Sequence, residues 1–349
     1  MSNSKHSRTR TVLINLLVFG VLLTLIIIIG ELLLGLFIPR IDYRGISRLT
    51  FSPIAYEMIP NINVEREGVR ISTNSDGFRD TDFSGEPRPD QFVIAVLGDS
   101  YTFGQGVPQS ETFPAVLQKL LNQSHGVPKF RVWNLGVSGY NTEQESYLLK
   151  TFVLPRKPNW VVVGLNLNDY EPIVVDNTVG GGEKLGDGSV LNRLINFFRD
   201  DLLITHIVLQ KFGNLVRMLD PNWTNSAYFL EISNQYLKPN GGWDDVSMLL
   251  QNMKSEADAA GVGFTIAVLP VMWDFQNYLF EEVNDVIVNF LKNKNIDHVN
   301  MLPYFKSEKN ANWSVSPIDT HPNSRAQLIF AKALADHFNA KILNEKAER

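Results

Sequence analysis

Hydrophobic positions along this chain fall into three regimes. From Thr11 to Gly30 there are twenty residues without a charge, mostly Leu, Ile and Val. At about 1.5 Å of rise per residue this is enough to cross a hydrocarbon core of about 30 Å. The stretch reads as one membrane-spanning helix, and the anchor is assigned to residues 11–38. A cleaved signal peptide would carry a shorter apolar region ending in a small-x-small site, and no such site lies between Gly30 and Arg40. Residues 39–90 are rich in Pro, Gly, Asp and Arg with little periodicity and are expected to form a linker or collar. Within them ISTNSDGFRD, 71–80, predicts a short strand followed by an Asp-Gly turn.

A different rhythm starts at residue 91. Continuous apolar runs FVIAVLG (92–98), FRVWNLGV (130–137), WVVVGLNL (160–167) and GFTIAVLPV (262–270), with a short run at 298–302, are separated by helical patterns. Those patterns fall near 112–123, 142–153, 244–260, 276–293 and 324–341. Apolar strands alternating with helices predict a parallel sheet covered on both faces, a doubly wound α/β domain over 91–341. The interval 171–240 interrupts the rhythm with GGGEKLGDG and an aromatic, amphipathic stretch, and is expected to be an insertion serving as lid or binding element.

Charge and composition narrow the function. The chain has 349 residues, 44% hydrophobic and 20% charged, an ordinary globular composition. Without residues 1–40 it carries 28 basic and 36 acidic side chains, so the body is acidic and nucleic acid is not an expected partner. Absence of cysteine removes disulfides, thiolate metal sites and cysteine nucleophiles. Basic residues flank the apolar span almost evenly: Lys5, Arg8 and Arg10 before it, Arg40, Arg44 and Arg48 after it. The short tail, residues 1–10, is assigned to the cytoplasm and the domain to the outside, because the distal basic residues would be translocated with the domain. Glu31 marks the edge of the apolar core or meets a partner within the bilayer.

Ligands of such sheets bind at the carboxyl ends of the strands, so the residues after each run carry the chemistry. The first run ends in Gly98-Asp99-Ser100, where a glycine allows a sharp turn and the serine hydroxyl can reach the sheet edge, although Asp and Ser also serve as plain turn and cap residues. The second ends in NLGVSGYNT, with Gly136, Ser138 and Gly139, and the third in GLNLNDY, with Asn166, Asn168 and Asp169. Backbone N–H groups and a side-chain amide near a hydroxyl are what a developing oxyanion needs. Of six histidines, His321 stands apart: in PIDTHPNS it has Asp319 two residues before it and Pro322 after it. The proline biases His321 towards an extended conformation, in which residues two apart share a side, so Asp319 could orient the ring. No H-E-x-x-H, P-loop or strand-linked G-x-G-x-x-G is present, and neither metal nor cofactor is expected.

GDSYTFG, the Gly139 loop, the Asn168-Asp169 pair and DTHPN, in this order and each after a strand, resemble the blocks of the SGNH superfamily of GDSL-type hydrolases. The resemblance spans roughly residues 92–341. It implies a three-layer, flavodoxin-like fold with a five-stranded parallel sheet, and acyl-ester chemistry. Carried over, Ser100 is the nucleophile and its N–H an oxyanion donor, Gly139 gives a second N–H, Asn168 a side-chain donor, His321 the base and Asp319 its orienter. One departure is the acid at two residues before the histidine, where the family places it at three. The DTH triplet resembles the one in SGNH-like proteins that O-acetylate alginate, although there it precedes the serine block. Asn168 is taken over Asn166 because the Asn-Asp pair is the family pattern.

Three functions fit these residues. The first is a membrane-anchored, extracytoplasmic serine esterase acting on short acyl esters, O-acetyl groups of glycans among them. The second is an O-acetyltransferase of cell-surface polysaccharide, supplied with acyl groups by a partner membrane protein. The third is an inactive glycan-binding module, against which the joint retention of Ser100, Asn168 and His321 argues.

Overall fold

The computed structural model describes residues 14–15, 18–20, 22–30, 46–50, 53–66, 68–83, 88, 90–124, 129–171, 230–306, 312–316 and 319–347. The chain divides into two compact units, Met1–Asp42 with Asn177–Thr224, and Tyr43–Asp176 with Asn225–Arg349. In the first unit the described residues between 14 and 30 are helical. Among the described residues no helix is long and apolar enough to cross a membrane, and the anchor expected at 11–38 lies partly outside them. Most of the insertion expected at 171–240 also lies outside the described residues.

The second unit opens with two small antiparallel hairpins. Strand β1 (Ser47–Leu49) pairs with β2 (Tyr56–Met58), and β3 (Asn63–Arg66) with β4 (Val69–Ser72). Ile46, Ile54, Met58, Ile71 and Phe78 from this segment are buried in the same apolar core as the α/β sheet. The described residues of the collar thus pack into the core of this unit.

The main sheet has five parallel strands, β5 (Gln91–Gly98), β6 (Lys129–Gly136), β7 (Trp160–Leu165), β8 (Gly263–Val268) and β9 (His298–Asn300), in the order β6-β5-β7-β8-β9. Each coincides with an apolar run. The strands are apolar at nearly every position because both faces are covered; Val93 to Leu97 and Val161 to Val163 are essentially inaccessible. Helices of this unit include α1 (Ser100–Phe103), α2 (Phe113–Ser124), α3 (Thr142–Leu148), α4 (Gly242–Ala259), α5 (Glu281–Asn293), α6 (Leu302–Lys306) and α7 (Ser324–Ala347). Helix α2 buries Phe113, Leu117 and Leu121, spaced by four along one face, and packs on β6 and α7. Helix α3 is fixed by a capping box in which the Asn141 side chain accepts from Gln144 N and the Gln144 side chain accepts from Asn141 N. It continues as a π turn, Leu149–Val153, which accounts for the longer helical pattern in the sequence. Strand order reverses between β5 and β7, and the crevice at that switch point is the expected ligand position.

Candidate active site

Ser100 follows β5 at once and opens α1. The chain turns here at Gly98, which has φ +155°, and a Cβ there would lie 2.0 Å from Thr102 Oγ1. Gly136 and Gly164 pair with Gly98 in register on the two neighbouring strands. A Cβ on Gly136 would lie 2.2 Å from Phe103 N, and one on Gly164 2.7 Å from Thr102 Oγ1. Three in-register glycines therefore form a dent at the sheet edge in which α1 sits, carrying Ser100 over the strand ends. Behind this turn the buried Arg79 guanidinium donates to the carbonyls of Gly104 (2.6 Å), Val107 (2.7 Å), Phe103 (3.1 Å) and Arg70 (3.2 Å), tying down the loop after the serine. Burial, with no carboxylate bonded to it among the described residues, lowers its pKa to about 10.

His321 reaches Ser100 from the other end of the domain. Its Nε2 is 2.9 Å from Ser100 Oγ and its Nδ1 2.6 Å from Asp319 Oδ1. The same Oδ1 accepts from His321 N at 3.0 Å, so Asp319 closes an Asx-turn over the histidine. That turn is the physical reason an acid two residues away can serve: its carboxylate folds back onto both the backbone and the ring. Ser316 braces the turn through its Oγ, which accepts from Asp319 N at 3.0 Å, while Val315 N donates to His321 O at 2.9 Å. Burial pushes the Asp319 carboxyl up, but the hydrogen bond and charge of His321 outweigh it and hold the group below its ordinary value. With Asp319 ionised, Nδ1 carries the ring proton and Nε2 accepts from the serine hydroxyl. Tyr101 packs edge-on against the imidazole at 5.8 Å between ring centroids, and its carbonyl accepts from Gln327 Nε2 of α7 at 2.9 Å.

The asparagines of the third block differ in what they touch. Asn166 Nδ2 donates to Asp99 Oδ2 (3.2 Å) and Asn166 Oδ1 accepts from Leu167 N (2.7 Å). Asn168 makes no side-chain hydrogen bond among the described residues, and its Oδ1 is buried without a partner. Gly139 lies in the loop after β6 with φ +81°, a conformation that favours glycine. Asp99 holds the turn from beneath, accepting from Tyr101 N (2.8 Å) and from Asn166 Nδ2 (3.2 Å).

Asp99 belongs to a buried group of three acids with Asp169 and Glu145. Asp169 Oδ2 accepts from Asn166 N at 3.2 Å, whereas Asp169 Oδ1 and both Glu145 oxygens are buried without partners. No Lys or Arg pairs with any of the three among the described residues. Burial, then the charges of Asp169 and Asp99, push the Glu145 carboxyl well up; burial, then Asp99, do the same to Asp169. The pair therefore holds a proton more tightly than ordinary carboxyls do. The unfolded chain loses this proton in the ordinary carboxyl range and the folded chain only at higher pH, so raising pH between the two favours unfolding by about tenfold per unit. Urea unfolding followed upward in pH from the ordinary carboxyl range should therefore show wild type losing stability more steeply than Glu145→Gln. Equal slopes would contradict the retained proton.

Of the other histidines, His6, His125 and His206 lie outside the described residues, and His337 pairs with Asp297 at 2.9 Å, away from Ser100. Asp99, Tyr101, Arg79 and Gln327 were not singled out by the sequence as site residues. The sequence marks Gly98 and Gly136, which end β5 and β6, whereas Gly164 within the third run carries no local signal.

A serine, a histidine and a carboxylate joined by hydrogen bonds at the carboxyl edge of a parallel sheet are the equipment of an ester hydrolase. The chain belongs to the GDSL-like lipase/acylhydrolase family, whose model matches residues 96–329. It is an SGNH/GDSL-type enzyme acting on ester bonds. Among solved structures, TesA is 15% identical at a TM-score of 0.42, with 69% of this chain and 95% of that one covered. A putative lipolytic protein of the G-D-S-L family from Desulfitobacterium hafniense is 14% identical (TM-score 0.41, 70% and 98% covered). A catalytic mutant of Axe2, an acetylxylan esterase from Geobacillus stearothermophilus, is also 14% identical (TM-score 0.41, 72% and 94% covered). No curated protein matches the chain.

Proposed function

We propose that this chain is a membrane-anchored serine esterase whose catalytic unit works outside the cytoplasm on short acyl esters, the O-acetyl groups of glycans in particular. The observation that carries the reading is the unbroken relay of Ser100 Oγ to His321 Nε2 (2.9 Å) and His321 Nδ1 to Asp319 Oδ1 (2.6 Å). His321 takes the hydroxyl proton as Ser100 attacks the ester carbonyl, and Asp319 holds the ring and stabilises the imidazolium. The N–H groups of Ser100 and Gly139 and the amide of Asn168 receive the oxyanion. His321 then returns the proton to the leaving alcohol, and water, deprotonated by the same imidazole, releases the acid from the acyl-serine. No metal or cofactor takes part in these steps.

Anchoring is supported by the charge-free run from Thr11 to Gly30 and by Phe19 and Ile26 in its helical part, 64% and 66% exposed. Apolar side chains exposed around a helix call for an apolar surrounding. Export is supported by the basic tail before the span, since the equally basic stretch after it, Arg40, Arg44 and Arg48, would be translocated with the domain. The test uses the full chain in detergent with p-nitrophenyl acetate and p-nitrophenyl octanoate. Turnover favouring acetate, abolished in Ser100→Ala, is expected; octanoate preference would overturn the short-acyl assignment, and no turnover of either ester would overturn the esterase.

A further inference from the structure

The loop that carries Gly139 is held from outside the region matched by the family. Tyr56, in β2, donates its hydroxyl to Ser138 O at 2.8 Å. Tyr140 returns the contact, donating to Tyr56 O at 2.7 Å, and the two rings meet edge to face with centroids 5.3 Å apart. Gln144 Nε2 donates to Ile54 O at 2.7 Å, so residues 54–56 and the 138–144 segment are joined at three points. From the other side Ser138 Oγ donates to Gln105 Oε1 at 2.9 Å.

Ser138 C=O and Gly139 N–H are the two ends of one planar trans peptide and point in opposite directions. A donor on the carbonyl therefore fixes where the N–H points and polarises it towards stronger donation. The absent side chain at Gly139 is part of the arrangement, because a Cβ there would lie 2.8 Å from the Tyr56 hydroxyl. We infer that Tyr56 is a positioning residue for ester hydrolysis, aiming and polarising the Gly139 N–H at the oxyanion through its hydrogen bond to the Ser138 carbonyl. The inference rests on the oxyanion role given to Gly139 above. Burial, and then the Asp99 charge, push the Tyr56 hydroxyl up, so it stays a donor across the working pH range.

The test compares full-chain wild type, Tyr56→Phe and Tyr140→Phe in detergent, with kcat and KM on p-nitrophenyl acetate, labelling of Ser100 by a fluorophosphonate, and thermal melting. Each variant loses one buried hydroxyl from the same hairpin contact, but only the first touches the 138–139 peptide. Tyr56→Phe is expected to lose about tenfold in kcat with KM within about twofold, less than loss of an oxyanion donor itself. Its labelling should slow in parallel. Tyr140→Phe is expected to melt lower while keeping kcat. An unchanged kcat in Tyr56→Phe, or an equal loss in Tyr140→Phe, would overturn the assignment while leaving the esterase intact; wild type that neither turns over nor labels would overturn the esterase and the assignment with it. Where Tyr56→Phe does not melt cooperatively, 3,5-difluorotyrosine at position 56 keeps the shape and ionises more easily. An alkaline limit on kcat moved to lower pH then supports the assignment, and an unmoved limit overturns it.

Discussion

Replacing Ser100 by Ala, or His321 by Ala, should lower kcat on an acetyl ester by a factor on the order of 10⁴ to 10⁶. Either change removes the acyl-enzyme route: without Oγ there is no nucleophile, and without the imidazole nothing takes its proton. The double variant should be no worse than the more damaged single one, because the two groups act as one unit. Asp319→Ala should cost less than His321→Ala, since it withdraws the partner that holds the ring and leaves the base in place. The Asx-turn sharpens this ranking. Asp319 Oδ1 accepts from both His321 N and Nδ1, so its loss frees the backbone of the loop as well as the ring. Part of the Asp319→Ala deficit should therefore appear as lost order around Ser314 and Pro322, which pair through an antiparallel bridge. Steady-state kinetics beside thermal melting checks the three single variants and the double one. A His321→Ala protein with kcat near wild type, or an Asp319→Ala loss equal to that of His321→Ala, would contradict the proposed roles.

What the sequence made legible was the layer that depends on local pattern. All five sheet strands coincide with apolar runs, because a strand buried on both faces has no polar alternation to confuse with a loop. Helices α2, α4 and α7 begin within about two residues of their patterns, as the 3.6-residue period allows. Helix α5 starts later than its pattern, at Glu281; the Asp274 carboxylate accepts from Gln276 N and Asn277 N and keeps the preceding segment in a turn. Hairpin strands β1 to β3 are short and half-exposed, with too few alternating positions to register, and the four residues of α1 are too few to show a period.

At the site, residues whose role is to hold others were invisible for a different reason. Tyr56 and Ser138 are 82 positions apart, and no local pattern links a tyrosine in a weakly periodic segment to a peptide in a distant loop. Glu145 occupies a polar-looking stretch, TEQESYL, where a helix surface would be expected, yet it is fully buried against Asp169 and Asp99. In-register alignment of Gly98, Gly136 and Gly164 likewise exists only once the sheet is formed, although each glycine stands at or near the end of its own run.

Asn168→Ala should reduce kcat by about a hundred- to a thousandfold with little change in KM, the usual cost of one side-chain oxyanion donor. Asn166→Ala should behave differently. The Asn166 amide is already committed to Asp99 Oδ2, and Asn166 N to Asp169 Oδ2, so this residue ties the cap beneath Ser100 to the buried acids. Its removal should leave Asp99 short of a donor, lowering the melting temperature and loosening Ser100 rather than deleting a contact to the substrate. Asn168, by contrast, has no partner among the described residues to lose, so its truncation should leave stability nearly untouched. The two variants thus separate on two axes, kcat and melting temperature. Asn168→Ala silent in kcat with Asn166→Ala inactive but stable would move the donor to Asn166 and require a different group to hold Asp99. The separation follows from burial: a donor kept free for a transient oxyanion has to remain unsatisfied in the resting enzyme, whereas a donor beneath the nucleophile has to be satisfied at all times.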